Sequence, residues 1–567
     1  MNGFPRGGEG WTLAVILCLA AALFVFPLFV LARVGVTSEG VLTLVPLMEA
    51  FDSRSVPRAL WNSLESSLGS AVLSLVVGAL AALIIGLTDV RHKGVFTFLL
   101  LIPMMIPPHV TAIAWVQAMG PSSPLLKTLG LAPEIGSTHP LYSREGVILL
   151  LGIQNMPLVF LVVLAALRSL PREMSDAARV AGARPWRLIR RIVLPLLAPT
   201  LISGFALAFV SALGNFGIPA LLGIPARYTT LPVLIWQRLS SFGPSVLTDV
   251  AVIASLLAGV AIVIIAVQMT LLQRARNALI GPPQPPLKIA LGRGRLGTEA
   301  ALALLIAATL LLPLTALFAT ALVTTYGLPL TAETITAANF IEVLFRQSVT
   351  LRAFANSSLV AGLAAAFIAL VCMFVARSMA STLAVPRRAG YGIATLAEMT
   401  YAIPGLVISI AFILAFIRPL PLIDVSIYGT LGIIFLAYIC AFFSIALKPV
   451  SAAYLQLDPA LDEAARISGA GYLFRMRRIF LPLIAPAAAS GAILVFLTAY
   501  NEVTVSALLW STGNETIGTT IYNYEDGGYT TLAAAMSSVT VLATVLLMAL
   551  LDVLGRKLPP GVVPWRI

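Results

Sequence analysis

Two short segments of this 567-residue chain carry residues whose types and spacing suit a defined task. Each has an acidic residue, two alanines, three further residues and a glycine, and nine residues later the pattern Ile-x-Leu-Pro. Matched positions lie 287 residues apart throughout, as for Gly182 and Gly469. The residues that define the two copies are Asp176, Ala177, Ala178, Gly182, Leu194 and Pro195, and then Glu463, Ala464, Ala465, Gly469, Leu481 and Pro482.

The types and spacing of these residues favour docking against another protein. Carboxylates are stabilised in the first turn of a helix, and Ser175 and Asp462 are expected to cap the two helices. Paired alanines keep such a helix slim, and Gly182 and Gly469 are expected to end it in a left-handed turn. A slim acidic helix in a basic loop suits a groove in a partner. The simpler alternative is an ordinary basic loop between two membrane spans.

The composition places both segments in a membrane protein. Hydrophobic residues make up 59% of the chain and charged residues only 11%, whereas soluble domains average about 25% charged residues. The net charge of +12 does not indicate nucleic-acid binding, because the basic residues lie in alternate short loops. The three cysteines fall inside apolar spans and the three histidines are scattered, so the sequence predicts neither disulfides nor a metal site.

Twelve apolar stretches are long enough to cross a bilayer as helices. They are Trp11–Leu31 and residues 66–87, 95–118, 146–167, 194–214, 247–272, 300–323, 357–376, 390–417, 428–447, 481–500 and 531–554. We expect the first to be retained as an anchor, because its apolar core is longer than that of a signal peptide. The second and eighth spans open on the same Asn-Ser pair, at Asn62 and Asn356. The prediction is an all-α polytopic membrane protein of about twelve transmembrane helices in two tandem six-helix halves.

The distribution of Lys and Arg predicts the orientation of these spans. With the N-terminus in the cytoplasm, about 26 of the 36 basic residues fall in cytoplasmic loops, as the positive-inside rule requires. Both acidic-alanine segments and both termini then face the cytoplasm. The predicted order is an N-terminal anchor with a periplasmic segment (1–59), a first domain (60–272), a proline-rich cytoplasmic linker (273–298), the seventh transmembrane helix with a periplasmic segment (299–353), a second domain (354–556) and a cytoplasmic tail (557–567).

The repeated pattern resembles the EAA motif of bacterial binding-protein-dependent ABC importers. Asp176 replaces the usual glutamate in the first copy, and Glu463 keeps it in the second. The resemblance covers roughly residues 60–272 and 354–556 and implies two permease domains, fused in one chain, with the fold of a type I importer. It also implies that each EAA segment (residues 175–195 and 462–482) forms a coupling helix held in a cleft of an ATPase subunit.

Partners and location follow from the same resemblance. It implies two copies of an ABC ATPase, which would bind ATP and Mg, one periplasmic solute-binding protein, and a multi-pass position in the bacterial inner membrane. No phosphate-binding loop of the form G-x-x-x-x-G-K-[ST] occurs in the chain, so we expect it to hold no cofactor and not to be an enzyme. Among importers, the fused chain resembles the ferric-iron branch, with thiamine, phosphonate, polyamine and sugar-phosphate importers as alternatives.

Polar residues and prolines at membrane depth are candidates for the solute pathway, because both are costly inside a bilayer. These candidates are Met104, Met105, Pro107, Asn215, Glu398, Tyr401, Pro404, Asn501 and Glu502. Each group has a simpler alternative. The prolines could be packing kinks, and the asparagines and Glu502 could simply reach water. Glu398 could be a buried carboxylate that is hydrogen-bonded between helices. The predicted outer loops add residues that could contact a binding protein or merely be solvated, namely Trp236, Tyr522, Asn523, Tyr524, Glu525 and Asp526.

A second class of protein, the ion-coupled secondary transporter, also fits twelve spans with a repeat. It would need paired ionisable residues at mid-membrane, for which Glu398 is the clearest candidate. It leaves the two EAA segments unexplained. A third class, a membrane-embedded enzyme, lacks a constellation of catalytic groups in this sequence.

Overall fold

A computed structural model describes residues 8–38, 41–43, 45–134, 136–168, 170, 176–178, 180–241, 243, 245–274, 289–419, 424–555, 557, 559 and 562–563 of the chain. Helices dominate these residues, and the strands found among them are one pair of two residues each, Thr37–Ser38 and Val41–Leu42. The all-α prediction is confirmed. Residues 275–288 of the predicted linker and most of the predicted tail lie outside the described residues.

Ten helices among the described residues are long and apolar enough to cross a membrane, and two further helix pairs form bent spans, which together match the twelve predicted spans. In chain order we label them α1 (Gly8–Gly35), α2 (Ser55–Leu87), α3 (Lys93–Met105), α4 (Pro108–Met119), α5 (Arg144–Arg168), α6 (Pro185–Leu213), α7 (Val246–Arg274), α8 (Gly292–Ala321), α9 (Ser348–Met379), α10 (Ala384–Tyr401), α11 (Gly405–Phe416), α12 (Leu431–Leu455), α13 (Tyr472–Tyr500) and α14 (Thr530–Leu554). The connections hold short helices at Val45–Asp52, Pro124–Thr128, Pro219–Gly223, Leu231–Leu239, Ala338–Ile341, Glu342–Arg346, Ala460–Ile467, Ser506–Leu509 and Ile517–Asp526.

Two of the predicted spans are sharply bent rather than continuous. The helices that contain α3 and α4 meet at 102°, and α10 and α11 meet at 109°, so each of the predicted spans 95–118 and 390–417 is broken into two helices. A proline stands at each break and cannot donate a backbone hydrogen bond. The two prolines have nearly the same backbone angles, φ −55° and ψ 139° at Pro107 and φ −53° and ψ 138° at Pro404. The bend is therefore a repeated feature of the fold.

A side chain of α5 satisfies the backbone groups that the first bend leaves open. The Gln154 amide nitrogen donates to the carbonyls of Pro103 and Ile106, each at 3.1 Å, and its oxygen accepts from the Thr111 hydroxyl at 2.8 Å. An unpaired carbonyl inside a membrane protein is costly, so this buried side chain stabilises the break. The residue at the matched position in α12 is Ala441, and the second half therefore holds its bend by other contacts.

The first helix of each half packs mainly against the other half. The ring of Phe24 in α1 lies 5.4 Å from that of Phe443 in α12, and Phe26 lies 6.1 Å from Phe416 in α11. In the same way α8 packs against α4 of the first half. The two halves are thus tandem in sequence, as predicted, but interlocked in space.

Both exchanged helices are fixed at the end of the bundle that carries the EAA segments, here called the EAA end. The Glu299 carboxylate of α8 accepts the backbone N–H of Arg91 at 2.7 Å. The Glu9 carboxylate of α1 accepts the Ser381 hydroxyl at 3.4 Å. Arg91 follows α2 and Ser381 follows α9, so the two glutamates make equivalent links in the two halves.

Candidate functional site

The second EAA segment contains the helix Ala460–Ile467, which starts two residues before the predicted cap. The Asp458 carboxylate accepts the first N–H of this helix, from Ala460, at 2.9 Å. The expectation that Asp462 is the cap is therefore wrong, because Asp462 lies inside the first turn with Glu463. Both carboxylates still lie near the positive end of the helix dipole, as the sequence predicted.

The two glycines end their segments in the predicted left-handed conformation. Gly182 and Gly469 both have φ of +78°. The N–H that follows each glycine bonds to the carbonyl five residues back, at 2.9 Å in the first segment and 3.0 Å in the second. A Cβ at either position would meet nothing within 4 Å. Glycine is therefore favoured by the backbone conformation and not by lack of space.

The first EAA segment is described less completely. Its residues 176–178 and 180 are helical, whereas Ser175, the predicted cap, lies outside the described residues. Asp176 and Ala177 are exposed and Ala178 is half-buried, and the matched residues of the second segment, Glu463, Ala464 and Ala465, have the same pattern. The two segments therefore present the same face outward.

The Leu-Pro pairs lie where the EAA segments pass into long helices. Leu194 and Leu481 are half-buried, whereas Pro195 and Pro482 are exposed. A wider π turn directly precedes each pair, at Ile189–Val193 and Met476–Phe480.

Large apolar side chains are exposed at matched positions of the two EAA segments. Val180 is 90% exposed and Ile467 is 88% exposed, and these residues are 287 apart. Trp186 and Leu473, also 287 apart, are 69% and 63% exposed. Exposed apolar side chains grouped on a surface mark protein contacts. Each segment thus exposes a large apolar side chain at the same two positions.

Asp462 lies at the centre of a group of arginines that the sequence analysis missed. Its carboxylate pairs with Arg377 of α9 at 2.9 Å, with Arg466 at 3.0 Å, and with Arg475. The Arg377 guanidinium also lies 5.4 Å from the centre of the Phe480 ring. The Arg377 side chain is only 4% exposed and that of Asp462 15%. These contacts, here called the Asp462 cluster, fix the second EAA segment to the end of α9. The sequence did contain one indication of this cluster, because Arg377 is a charged residue in the last turn of the apolar helix α9.

The first half has uncharged residues at the positions that match Arg377, Asp462 and Arg475, whereas Arg466 matches another arginine, Arg179. Counted from the shared Asn-Ser pair, Arg377 corresponds to Leu83, and in the EAA register Asp462 and Arg475 correspond to Ser175 and Leu188. The two EAA segments therefore differ in how they can be attached to their halves.

At the opposite end of the bundle, the Asn-Ser pairs hold two short helices, Leu231–Leu239 and Ile517–Asp526, here called the end helices. In the first half, the Ser63 hydroxyl accepts the N–H of Leu231 at 2.7 Å. In the second half, Ser357 accepts the N–H of Ile517 at 2.9 Å. The N-terminus of each end helix is thus attached to the start of α2 or α9, by the same atom in both halves.

The Asn side chains of the pairs add to this attachment. Asn62 donates to the carbonyl of Thr229 at 2.9 Å, and Asn356 donates to those of Gly513 and Glu515 at 3.1 Å and 3.0 Å. The sequence showed the repeat of the Asn-Ser pair but not its partners, since these lie more than 150 residues away.

The two halves meet at the opposite end through an aromatic group, here called the aromatic closure. The ring of Trp236 lies 5.9 Å from that of Tyr522, and Phe216 lies 5.9 Å from Trp236 and 5.5 Å from Tyr522. Trp236 and Phe216 belong to the first half and Tyr522 to the second. Phe216 is fully buried. A cavity of about 290 Å³ adjoins this group and is lined by residues of both end helices.

The nine predicted pathway residues divide into three groups, and the side chains of the first group bond to nearby backbone groups. The side-chain Oδ1 of Asn215 accepts the N–H of Ile218 at 3.1 Å, and the side-chain amide of Asn501 donates to the Leu497 carbonyl at 3.1 Å. The Glu502 carboxylate accepts the N–H groups of Val505 and Ser506. These three side chains are thus bonded to backbone groups three or four residues away in the sequence, so interfacial groups that merely reach water do not describe their contacts.

The second group lies at the two bends. Pro107 and Pro404 are buried, and a Cβ added to Gly214 would lie 3.1 Å from the ring of Pro404, so the second bend packs against the end of α6. Met104 is exposed and Met105 half-buried. These placements bring Pro404 to the contact between the halves.

Glu398 and Tyr401 lie on exposed positions of α10. The ammonium of Lys448 lies 5.7 Å from the centre of the Tyr401 ring. Glu398 is therefore not a buried carboxylate between helices. Among the described residues, no group of three His, Cys, Asp or Glu side chains could hold a metal ion.

Comparison with protein families matches two parts of the chain, residues 74–278 and 378–563, to the family described as the binding-protein-dependent transport system inner membrane component. The two matches fall in the two halves and include both EAA segments. The second match begins within α9 and the first within α2, at different points of the repeat.

Similar proteins include both full-length and half-length relatives. A probable ABC transporter permease protein of Sinorhizobium fredii, y4fN, is 26% identical over 82% of this chain and 81% of the relative. The putative 2-aminoethylphosphonate transport system permease protein PhnU of Salmonella typhimurium is 28% identical over 40% of this chain and 80% of the relative. A crystal structure of a bacterial ABC transporter involved in the import of the acidic polysaccharide alginate aligns at 19% identity with a TM-score of 0.38, over 47% of this chain and 97% of that one.

Proposed function

Because the chain belongs to the family of binding-protein-dependent transport system inner membrane components, we propose that it carries both permease halves of one ABC importer in a single polypeptide. In this proposal a periplasmic binding protein delivers the solute, and each EAA segment engages one of two ATPase subunits. The ATPase subunits bind ATP and Mg, and this chain provides the route through the membrane.

The observation that carries the proposal is the duplicated apolar surface of the EAA segments. Val180 with Trp186 and Ile467 with Leu473 occupy matched positions, and all four are largely exposed. A surface duplicated in this way suits two copies of the same partner, because each copy would find apolar side chains at the same positions. The left-handed glycines Gly182 and Gly469 give the two surfaces the same local shape.

The second half contains a continuous mechanical connection from its EAA segment to the aromatic closure. The Asp462 cluster joins the segment to Arg377 near one end of α9, and Ser357 near the other end of α9 holds the end helix that carries Tyr522. The 20 residues of α9 between these two attachments span about 30 Å at 1.5 Å per residue. Movement of the EAA segment by an ATPase would therefore be transmitted along α9 to the closure.

The orientation of the bundle is part of the proposal. The excess of basic residues in the loops of the EAA end supports a cytoplasmic EAA end and cytoplasmic termini. The end helices and the aromatic closure then face the periplasm, where a binding protein would dock. A cysteine introduced at Val180 should react with an impermeant thiol reagent only from the cytoplasmic side.

The cargo is the least determined part of the proposal. The resemblance of the fused chain to ferric-iron importers makes ferric iron one candidate, beside thiamine, phosphonates, polyamines and sugar phosphates. The names of the similar proteins reported above give either another solute or no solute, and none of them favours iron. In an importer of this class the binding protein selects the solute, so iron ligands need not occur in the permease.

The docking proposal can be tested without knowing the cargo. The chain in lipid nanodiscs is titrated with its cognate ATPase subunit, and the double variant Val180→Glu with Ile467→Glu is compared with the unchanged chain. We expect at least tenfold weaker binding, because each substitution places a charge in an apolar contact. Leu131→Glu is the control, since Leu131 is 69% exposed but lies at the opposite end.

Two results would contradict the proposal. Unchanged ATPase binding by the double variant would show that the EAA segments are not the contact. Uptake of any solute that is driven by an ion gradient and is independent of ATP would favour the secondary transporter instead.

A further inference from the structure

The cavity beside the aromatic closure lies where the two repeats face each other. Trp236 and Ser240 line it from the first half, and Tyr522 and Asp526 line it from the second. Trp236 and Tyr522 are 286 residues apart, and so are Ser240 and Asp526. The cavity therefore contains equivalent positions of both repeats. It therefore lies between the two halves at this end of the bundle.

The charges around this cavity favour a cation. Among the described residues that line it, Asp526 is the one with a charged side chain. Both end helices also reach the cavity with their C-terminal ends, at Leu239 and Asp526. The C-terminal end of a helix carries a partial negative charge from its unpaired carbonyls. Two such ends and one carboxylate therefore produce a negative potential in the same small space.

The aromatic lining favours an organic cation over a bare metal ion. The rings of Trp236 and Tyr522 lie 5.9 Å apart at 78°, and Trp510 also lines the cavity. The faces of aromatic rings attract cations, and ammonium groups are commonly bound in this way. Burial and the neighbouring Asp526 carboxylate raise the pKa of Tyr522, so its phenol stays neutral and is a poor metal ligand. Asn523 and Thr519 add polar groups that can bond to an N–H.

We propose that this cavity recognises a positively charged organic solute, a protonated amine or a quaternary ammonium, through the Asp526 carboxylate and the ring faces of Trp236 and Tyr522. The inference rests on the proposed transport function, because it assigns a cargo class to the importer. It does not fit an oxyanion, for which Lys, Arg or helix N-termini are the usual partners. The cavity itself offers one carboxylate, which is not a ligand set for a bare metal ion.

The inference can be tested by direct binding of a defined probe. The full chain in lipid nanodiscs is mixed with tetramethylammonium chloride, and binding is measured by saturation-transfer NMR of the methyl signal. Sulfate, inorganic phosphate and ferric citrate are added in separate competition experiments. We expect a tetramethylammonium signal that none of these three compounds displaces.

Variants of the matched pair Ser240 and Asp526 give opposite expectations. Asp526→Asn should weaken tetramethylammonium binding roughly fivefold to tenfold, because it removes a nearby opposite charge. Ser240→Asp should strengthen binding by a similar factor, because it places a second carboxylate at the equivalent position. Asp249→Asn is the matched control, since it removes the same charge at the same end but outside the cavity. We expect it to leave binding unchanged.

Several outcomes would overturn the inference. These are absence of binding by the unchanged chain, equal binding by Asp526→Asn, no gain in Ser240→Asp, or displacement of the probe by sulfate. Because Ser240→Asp is a gain-of-binding variant, a folding defect in Asp526→Asn alone cannot hide the result. Absence of cation binding together with intact ATPase docking would reject the cargo class and leave the transport function standing. Cation binding without ATPase docking would reject the transport function instead.

Discussion

Replacing Arg377 by Met should loosen the second EAA segment. The Arg377 side chain is 4% exposed and its carboxylate partner Asp462 is 15% exposed. Removing one member of a buried ion pair costs about 3–5 kcal/mol, because the other charge loses its partner. Asp462 keeps Arg466 and Arg475, so we expect the smaller loss of about 2 kcal/mol.

Hydrogen exchange of the backbone amides in Ala460–Ile467 measures this loss directly, because it reports the free energy of local opening. A loss of about 2 kcal/mol corresponds to roughly thirtyfold faster exchange. The measurement uses the full chain in nanodiscs without an ATPase. Arg478→Met is the matched control, because Arg478 is an exposed arginine of the same segment. Its exchange rates should equal those of the unchanged chain.

A triple variant tests whether the loss in Arg377→Met arises from the charge that the substitution leaves without its partner. Arg377→Leu, Asp462→Ser and Arg475→Leu together give the second half the residue types of the first. Replacing the buried members of an ion network together is often nearly neutral, whereas removing one partner alone leaves the other charge unpaired. The triple variant should therefore exchange more slowly than Arg377→Met alone. Normal exchange in the single variant, or still faster exchange in the triple variant, would refute the assigned role of the cluster.

Three further predictions concern other parts of the molecule. Gly182→Val and Gly469→Val should each weaken ATPase docking in a pull-down while the chain stays in the membrane, because φ of +78° costs a β-branched residue about 1–2 kcal/mol or more; unchanged docking in the double variant would contradict this. Ser63→Ala and Ser357→Ala should each lower stability by about 1–2 kcal/mol in thermal unfolding, because a buried N–H loses its acceptor; an effect in only one half would contradict their equivalence. Burial raises the pKa of Glu525 from 4.5 to about 7, so the native state binds this proton more tightly than the unfolded state. Stability should therefore fall by about 3 kcal/mol as pH rises from 4.5 to above 7, and Glu525→Gln should abolish this fall; an unchanged pH profile in that variant would show that another group is responsible.

Several features of the fold could be predicted because they depend on local sequence. The spans follow from apolar length, since each helix must satisfy its own backbone in the membrane. The left-handed ends at Gly182 and Gly469 follow from the glycines and the residues around them. The cap assignment at Asp462 failed for a local reason as well, because Asp458 supplies an earlier acceptor and the helix begins sooner.

Other features could not be predicted because they join residues that are distant in the sequence. The Asp462 cluster depends on Arg377, which lies 85 residues earlier. The bonds from Ser63 and Ser357 to the end helices join residues 168 and 160 positions apart. Nothing in a single sequence shows which charged or hydroxyl groups will meet over such distances. The angle at the two bends was likewise not predicted, since a proline in a span marks a break without giving its direction.

The sequence by itself determined that this chain is helical and membrane-spanning, that it consists of two related halves, and that each half carries an EAA segment. These properties depend on apolar length and on repeated spacing, which are visible without coordinates. Only the tertiary structure decided that the halves exchange their first helices, that α9 connects an EAA segment to an end helix, and that Trp236 and Tyr522 meet across the halves. The physical reason is that apolar helix faces fit many neighbours equally well, so the particular partner is selected by the packing and the buried polar bonds of the whole bundle.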